Sequence, residues 1–330
     1  MRERSAPWRS AVVGLGRIGL ELDAGHDRNS IFSHCRALSR HSSFELVAGV
    51  DVSVEARRRF ENLYRCAGYA SVEAMYAACR PDFVTIAVPS RWHLPVVRAV
   101  VAQRPAAILI EKPVGRNTGE CREILTLCRK NRVRAFVNYF RACDPATLEV
   151  IRAVRGGALG RLITGQVVYN GGLLNNGAHY LDLLVRIFGV PQAARADWSV
   201  HDGGRAVEQA VLDYGSGQIR VSELHGAGYS LGEVDLFFSR NRLCFCDFGE
   251  MLRIDEAQPD RHFAGFSRLM PRGGIRQPDW QRYQMWVYDH IAQVLDGRCE
   301  ALIGLSRAQV IHELIGRMSA PQGVADAIGH

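Results

Sequence analysis

Two short stretches of the chain carry side chains suited to proton transfer. In the first, Glu111-Lys112-Pro113, the lysine follows a predicted strand and the proline stiffens the turn that holds it. Desolvation and nearby cations lower the pKa of a lysine, so that its amine exchanges a proton with a hydroxyl or carbonyl group. The alternative is a surface lysine in a loop, where most lysines lie.

The second stretch is residues 173–182, LLNNGAHYLD. His179 and Asp182 are three residues apart and therefore share one face of a predicted helix, where the carboxylate can fix the histidine tautomer. Asn175 and Asn176 precede that helix and are suited to cap it or to bind substrate hydroxyls. The alternative is a structural histidine satisfied by Asp182 behind two capping residues.

A glycine pattern near the N-terminus predicts a dinucleotide site. Val12–Gly19, VVGLGRIG, contains Gly14-x-Gly16-x-x-Gly19 directly after an apolar, β-branched pair. In such a pattern the first glycine allows a tight turn, the second lets the backbone approach a pyrophosphate, and the third lets helix and strand pack closely. Leu20-Glu21-Leu22 is the expected helix start, whose free N–H groups face the phosphates.

Asp51 follows the second predicted strand, Phe44–Val50. A carboxylate there accepts hydrogen bonds from the adenosine ribose and repels a 2′-phosphate, which favours NAD over NADP. The distance from the glycines exceeds the usual 20 or so residues, and the excess is expected as a loop, Asp23–Ser30. A plain turn residue is the alternative for Asp51, and Arg57–Arg59 offer guanidinium groups to a 2′-phosphate.

Strand and helix patterns alternate through the first half of the chain, which predicts a doubly wound parallel sheet. Ligands of such sheets bind at the carboxyl ends of the strands. Arg141 follows the last of these strands and is suited to a substrate carboxylate or phosphate, with a salt bridge between domains as the alternative. His93 follows another and is expected beside the nicotinamide, or else as a helix-capping residue. The predicted cofactor contacts are Gly14, Gly16, Arg17, Ile18, Gly19, Asp51, Val88, Pro89, His93, Glu111, Lys112 and Asn138.

The second half reads as strands joined by short turns, which predicts an open, mainly antiparallel sheet with a few helices. We expect residues 1–138 to form a Rossmann domain, and residues 139–330 to form an α/β domain for substrate binding and oligomerisation. Gln258–Gln277 is rich in Pro, Gly and Arg and is predicted to be a long surface loop.

The charge and cysteine content of the chain indicate which ligands and which compartment to expect. The 330 residues carry a net charge of +7, which suits anionic ligands such as nucleotides. Nucleic acid is disfavoured because no concentrated basic stripe with interleaved aromatic residues is present. Nine cysteines without a regular framework predict free thiols in the cytoplasm, and we expect no metal. No apolar run has the length of a membrane span, and the N-terminal residues do not resemble a signal peptide.

Taken together, these motifs resemble the glucose–fructose oxidoreductase / inositol dehydrogenase / rhizopine catabolism (Gfo/Idh/MocA) family. The likeness lies in GLGRIG, VAGVDVS, VPSRWH, Glu111–Pro113, Asn138–Arg141 and GAHYLD, in that order. It implies NAD(P)-dependent hydride transfer to or from a sugar, nucleotide sugar or inositol-like polyol, by a homo-oligomer such as a dimer or tetramer. It also implies that Lys112 is the active-site lysine and that His179 contacts the reacting hydroxyl. Substrate contacts are expected from Lys112, Arg141, Asn175, His179 and Asp182.

One position departs from the family pattern. The family commonly has Asp four residues before the histidine, and this chain has Asn175, which cannot take a proton. This variant is similar to members linked to surface-glycan and amino-sugar pathways. Two alternatives to a dehydrogenase stay open: redox-assisted elimination or hydrolysis with tightly bound NAD, and a non-catalytic NAD-dependent binding or regulatory protein.

Overall fold

The computed structural model describes residues 6–201 and 204–319. The chain divides into two compact units. The first contains the residues up to Asp144 together with Gln281–Gln309, and the second contains Pro145–Trp280 with the residues from Val310. The predicted α/β class is confirmed, because one unit is built on a parallel sheet and the other on a mainly antiparallel sheet.

The first unit has six parallel strands within the described residues, in the spatial order β3-β2-β1-β4-β5-β6. This is the order of a dinucleotide-binding Rossmann sheet. The central strands β4 and β5 are buried along their whole length, as expected of a parallel sheet covered by helices on both faces. Their bounds are β1 Trp8–Val13, β2 Phe44–Val50, β3 Ala67–Tyr69, β4 Phe83–Ile86, β5 Ala107–Ile110 and β6 Arg134–Val137.

The second unit holds a sheet of eight strands in the described part of the chain, ordered β14-β13-β12-β11-β7-β10-β9-β8. Only the pair β7 and β10 is parallel among these described pairings, so the predicted antiparallel character is confirmed. The bounds are β7 Leu162–Tyr169, β8 Ala193–His201, β9 Gly204–Asp213, β10 Gln218–Glu223, β11 Gly232–Phe238, β12 Asn241–Cys246, β13 Met251–Pro259 and β14 Ser267–Pro271.

Helices complete both units, and several begin at a polar cap. Ser53, Ser71 and Asn117 each accept a hydrogen bond from the backbone N–H three residues further on, which satisfies one of the free donors at a helix start. The bounds are α1 His34–Arg40, α2 Val54–Tyr64, α3 Val72–Ala78, α4 His93–Ala102, α5 Thr118–Lys130, α6 Pro145–Arg155, α7 Ala178–Phe188, α8 Tyr283–Leu295 and α9 Leu305–Ser319.

The segment predicted as a surface loop, Gln258–Gln277, contains strand β14, so that prediction is wrong. Residues Asp255–Pro259 of β13 pair antiparallel with Ser267–Pro271, and β14 forms one edge of the sheet. The side chains of β14 are largely exposed, so the segment lacks the buried apolar alternation that identifies a strand in a sequence.

The helix expected after the glycine pattern is interrupted. The amides of Leu20 and Leu22 bond back to the carbonyls of Gly16 and Arg17, which gives a single turn. The carbonyls of Ile18 and Gly19 then accept from the amides of His34 and Cys35, at 3.0 Å each. The turn and α1 therefore share one backbone hydrogen-bond ladder, and the intervening residues form a loop outside it. The helix start expected at Leu20–Leu22 is thus a single turn, and the predicted inserted loop follows it.

Asp23 closes this loop. Its side chain is 3 % exposed and accepts from the amide of Phe32 at 2.7 Å, and from the amide of Ser33 at 3.0 Å. The Ser33 hydroxyl also donates to it, and the Arg36 guanidinium lies 3.4 Å away. Ser33 is in turn the N-cap of α1. A buried carboxylate with this many donors stabilises the loop ends against each other.

We therefore expect Asp23→Ala to lower the free energy of unfolding by about 2–4 kcal/mol, because two buried amides and a cation lose their acceptor. Urea denaturation measures the change. Asp27→Ala is the matched control in the same loop: its side chain is exposed and accepts only from the amide of Asn29, so a change under about 1 kcal/mol is expected. Equal losses in the two variants would contradict a specific closing role for Asp23.

Candidate active site

The glycine turn after β1 is held by contacts that only glycine permits. Gly14 has φ +99°, and a Cβ at that residue would lie 2.7 Å from the backbone of Ala87 and Val88, just beyond β4. A Cβ at Gly19 would overlap the carbonyl oxygen of Gly14. The turn is therefore packed both on itself and on the neighbouring strand end.

Gly16 differs, because a Cβ there meets no atom of the described chain within 4 Å. The residue is exposed, so the protein's own packing does not require glycine at this position. A group that approaches the backbone from outside does require it, and a pyrophosphate is such a group. The open backbone at Gly16 thus fits the pyrophosphate of a dinucleotide. Arg17 is exposed beside it, and Ile18 is partly exposed.

Asp51 lies at the end of β2 and is tied to this turn. One carboxylate oxygen accepts from the amide of Leu15 at 2.7 Å, and the other accepts from the amide of Ser53 at 2.9 Å. Arg57 donates to the carbonyls of Asp51 and Val52 at 2.7 and 3.0 Å, so its guanidinium is held close to the same strand end. A carboxylate oxygen has more than one lone pair, so both of these oxygens retain capacity for ribose hydroxyls.

The stretch after β4 places Val88 and Pro89 at the surface of the first unit, with Pro89 exposed. His93 is the first residue of α4 and is 1 % exposed. Its two ring nitrogens lie 2.8 Å from the carbonyl of Val88 and 3.1 Å from that of Val114. His93 therefore connects the chain after β4 to the chain after β5. A contact between His93 and the cofactor stays a prediction.

Lys112 follows β5 and is partly buried. Burial lowers the pKa of its ammonium group, the positive charge of Arg141 lowers it further, and the carboxylate of Glu111 opposes both. The net direction is downward, so the neutral amine is present at a lower pH than for an ordinary lysine. This is the property that proton exchange with a hydroxyl requires.

Arg141 lies in a short 3₁₀ helix after β6, where it is 9 % exposed. Its guanidinium carbon is 4.7 Å from the centre of the Phe140 ring, which is cation–π distance. The predicted alternative, a salt bridge between domains, and the predicted substrate contact both stay predictions. Its effect on Lys112 nevertheless places these two cations near each other in the first unit.

Glu111 is the centre of a buried polar cluster that the sequence did not predict. One carboxylate oxygen lies 2.9 Å from Nε2 of His34 and 2.5 Å from Nδ2 of Asn138. Burial alone raises the pKa of Glu111, but the hydrogen bond and the charge of His34, the hydrogen bond from Asn138 and the charge of Lys112 bring it below its ordinary value. Glu111 is therefore an ionised carboxylate inside the first unit.

The contacts of Asn138 define the orientation of its amide and leave the amide oxygen without a donor from the described chain. Its Nδ2 donates to Glu111 and, at 3.1 Å, to Oε1 of Gln284, and both partners are acceptors. The side chain is 3 % exposed, and its Oδ1 has no hydrogen-bond partner among the described residues. A buried acceptor without a donor is costly, so Oδ1 fits a donor supplied by a bound ligand such as a carboxamide group.

In the second unit, His179 and Asp182 lie on α7 and are 8 % and 2 % exposed. Asp182 accepts from Nε of Arg186 at 2.6 Å, a buried ion pair one helical turn along α7. The i,i+4 spacing of these two residues is visible in the sequence, and it is the signal by which this partner could have been found. A tautomer-fixing contact from Asp182 to His179 stays a prediction.

Asn175 and Asn176 lie in a π-helical turn, Gly172–Gly177, immediately before α7. Asn175 is exposed and donates to the carbonyl of Gly171 at 3.2 Å, while Asn176 donates to the carbonyl of Asn170 at 2.7 Å. Both amides thus bond locally to carbonyls rather than to the free N–H groups of the helix start. An N-cap hydrogen bond from a side chain is also absent from the described contacts of α7.

Membrane spans and metal clusters are both absent from residues 6–201 and 204–319. No helix in these ranges combines the length and the apolar character needed to cross a membrane. No group of three or more His, Cys, Asp and Glu side chains in the same ranges is arranged to hold a metal ion. All nine cysteines are free, as predicted.

Comparison with known proteins identifies the first unit. Residues 8–139 match the family described as "Oxidoreductase family, NAD-binding Rossmann fold". These residues belong to the Gfo/Idh/MocA family. The resemblance expected from the motifs is thereby confirmed, and the matched residues contain both the glycine turn and Asp51.

Curated relatives of this chain include two dehydrogenases. Inositol 2-dehydrogenase of Rhizobium meliloti is 26 % identical over 154 residues, which cover 47 % of this chain and 42 % of the relative. D-Glucoside 3-dehydrogenase of Escherichia coli is 26 % identical over 212 residues, covering 57 % and 56 %. The chain thus spans about half the length of the curated relatives it matches.

Solved structures extend the likeness over both units. The WlbA dehydrogenase of Bordetella pertussis, solved in complex with NADH and UDP-GlcNAcA, superposes with a TM-score of 0.74. The identity is 19 %, and 96 % of each chain is covered. At this identity the likeness shows a shared fold.

The glycine turn yields a matched pair of variants. Gly16→Ala should leave the free energy of unfolding within about 1 kcal/mol of the parent, since glycine there is not required by packing, yet should weaken NADH binding at least about tenfold. Gly19→Ala should lower the free energy of unfolding by at least about 2 kcal/mol, because its Cβ overlaps a backbone carbonyl. Urea denaturation and NADH fluorescence titration measure the two effects. Unchanged NADH binding in Gly16→Ala would contradict the assignment of a pyrophosphate to the backbone at Gly16.

Proposed function

We propose that this protein is an NAD(H)-dependent oxidoreductase that transfers a hydride between nicotinamide and a hydroxyl or keto group of a sugar, nucleotide sugar or inositol-like polyol. The observation that carries the proposal is Lys112. It is a partly buried lysine with a lowered pKa, at the carboxyl edge of a Rossmann sheet of the Gfo/Idh/MocA family. Ligands of such sheets bind at this edge, so the amine is on the side where a substrate hydroxyl is expected.

The residues of the first unit have distinct roles in this proposal. The glycine turn holds the pyrophosphate, Asp51 holds the adenosine ribose, and Oδ1 of Asn138 accepts from a donor at the nicotinamide end. The bound nicotinamide supplies the hydride chemistry. In the oxidising direction Lys112 takes the proton of the substrate hydroxyl, and in the reducing direction its ammonium returns that proton to the carbonyl oxygen.

The residues of the second unit are assigned by the family resemblance. His179 orients the reacting oxygen, with Asn175 and Asp182 as neighbours on the same stretch of chain. Asn175 can donate and accept hydrogen bonds but cannot exchange a proton, so the acid–base role falls on Lys112 or His179. A surface-glycan or amino-sugar substrate is consistent with the UDP-GlcNAcA bound in the WlbA structure. Arg141 is the candidate contact for a substrate carboxylate or phosphate.

The preference of NAD over NADP is part of the proposal and depends on Asp51. Its carboxylate faces the position of the adenosine ribose, and a 2′-phosphate there would meet like charge. The guanidinium of Arg57 opposes this preference because it attracts a 2′-phosphate, but its Nη1 already donates to two backbone carbonyls. Location in the cytoplasm and assembly as a dimer or tetramer stay predictions.

Titration with NADH and NADPH, followed by a panel of sugars, inositols and nucleotide sugars watched at the nicotinamide absorbance, tests the function directly. Turnover of one sugar class supports a dehydrogenase and names its substrate. Cofactor that survives purification, together with reaction but no net NADH, favours redox-assisted elimination or hydrolysis. Cofactor binding without any reaction across the panel favours a binding or regulatory protein.

Lys112→Ala tests the proposed proton exchange. Turnover should fall at least about 10³-fold, because a positioned acid–base group contributes 10²–10⁴-fold, while NADH affinity should change less than about threefold. In the parent, kcat/KM for oxidation should rise with pH and level off below pH 10.5, since the neutral amine forms as pH passes the lowered pKa. Lys130→Ala, at the exposed end of α5, is the control and should retain parental rates. Parental turnover in Lys112→Ala would remove this lysine from the mechanism.

Asp51→Asn isolates the charge that is proposed to read the ribose. The amide keeps the size and one acceptor for the Leu15 amide, so the turn should persist while the repulsion of a 2′-phosphate is lost. We expect the ratio of NADH to NADPH affinity to fall about tenfold or more. Fluorescence titration with both cofactors gives the ratio, and Glu73→Ala on the exposed side of α3 is the control. If the ratio is unchanged, another residue selects the cofactor.

A further inference from the structure

Below Glu111 the first unit contains a line of buried polar groups to which neither the family resemblance nor the proposed function assigns a role. Nε2 of His34 faces Glu111 at 2.9 Å, and Nδ1 of the same ring lies 2.8 Å from the hydroxyl of Tyr288. That hydroxyl is 2.9 Å from the hydroxyl of Thr85 on β4. His34, Tyr288 and Thr85 are all 0 % exposed. Residues of α1, α8 and β4 thus form one line of contacts that ends at the Glu111 carboxylate.

The contacts of His34 place a donor on Glu111. Nε2 lies 2.9 Å from Oε1 of Glu111, and because an ionised carboxylate only accepts, the proton on Nε2 points at Glu111. On the other side of the ring, Nδ1 lies 2.8 Å from the Tyr288 hydroxyl. Nε2 of Gln284 lies 3.0 Å from Nδ1 and 3.2 Å from Nε2 of the ring. His34 therefore donates a hydrogen bond from Nε2 to an ionised carboxylate.

This donor has an electrostatic consequence for the neighbouring lysine. While Lys112 is protonated, its positive charge helps to stabilise the Glu111 carboxylate. When Lys112 loses its proton, the buried carboxylate loses the support of that charge, and His34 and Asn138 are the donors on its Oε1. A hydrogen bond to a charged group is stronger than one between neutral groups. The donors thus favour the state in which the lysine is neutral.

We propose that His34 is a positioning residue that stabilises ionised Glu111 when Lys112 is neutral, and so makes the Lys112 amine available as a base at lower pH. The catalytic use of that amine rests on the proposed function. The charge relation between His34, Glu111 and Lys112 does not.

Other titratable groups around this cluster also act on the charges of Glu111 and Lys112. Burial raises the pKa of Tyr288 well above its ordinary value, so its hydroxyl stays neutral. The charge of Arg141 acts on Lys112 in the same direction as burial. The groups that face the cluster from the elements packed against it are Asp23, Cys35, Arg141, Tyr283 and Tyr288.

The chain is well suited to a direct measurement because it contains two lysines, Lys112 and Lys130. Protein grown with [13Cε]lysine therefore gives two signals, and Lys130 on the exposed end of α5 supplies the internal reference. The Lys112→Ala variant assigns the signals. The pH titration of the Lys112 signal needs neither substrate nor cofactor, so its result is independent of whether the protein is a dehydrogenase.

Two matched variants separate the two faces of the His34 ring. Glutamine places its terminal amide where Nε2 lies and can still donate to Glu111. Asparagine is shorter, places its amide where Nδ1 lies, and keeps only the side of Tyr288 and Gln284. We expect His34→Asn to raise the pKa of Lys112 by about 0.5–1 unit and His34→Gln to leave it within about 0.2 unit of the parent.

A third variant, Glu111→Gln, completes a double-mutant cycle with His34→Asn. It removes the negative charge, so the Lys112 pKa should fall by about 1 unit or more, and His34→Asn added to it should cause no further shift. The proposal is overturned if His34→Asn leaves the Lys112 pKa unchanged or lowers it, if His34→Gln shifts it equally, or if the shift persists beside Glu111→Gln. Should His34→Asn not fold, the nearly isosteric Glu111→Gln carries the test alone, and an unchanged Lys112 pKa in that variant overturns the proposal.

Discussion

The packing of the glycine turn on itself is the constraint on which the first unit depends. Gly19 lies so close to the Gly14 carbonyl that no side chain fits, and Gly14 in turn lies against the backbone beyond β4. These contacts align the ends of β1 and β4, and the Leu15 amide ties the end of β2 to them through Asp51. The carboxyl edge of the sheet is therefore one rigid surface before any ligand arrives.

Charges of both signs lie side by side at this edge. Two cations, Lys112 and Arg141, lie near each other, and the charge of Arg141 lowers the affinity of Lys112 for a proton. Next to Lys112 is the ionised Glu111, which accepts hydrogen bonds from donors on α1 and at the end of β6. A buried carboxylate beside a lysine would ordinarily make that lysine a permanent ammonium. Donors that share the carboxylate weaken this effect, which reconciles a buried acid with a neighbouring base.

Much of this could be predicted from the sequence, because apolar runs, glycine spacing and strand–helix alternation are local signals. The Rossmann strands, Asp51 and the inserted loop follow from them. Strands β3 and β14 do not, since β3 is three residues long and β14 is exposed at a sheet edge. The cluster around Glu111 was also missed, because His34 is 77 residues from Glu111 and 254 from Tyr288. Only tertiary structure brings such distant polar groups together.

The interrupted first helix has a consequence for evolution and engineering. Because the amides of His34 and Cys35 complete the hydrogen bonds of the glycine turn, the ladder on both sides of the loop is closed without it. The entropy cost of closing a flexible loop grows only with the logarithm of its length. The exposed residues 24–29 are thus a position at which the chain can gain or lose length, or accept a peptide tag or fluorescent label. The cofactor turn and the buried histidine would keep their places.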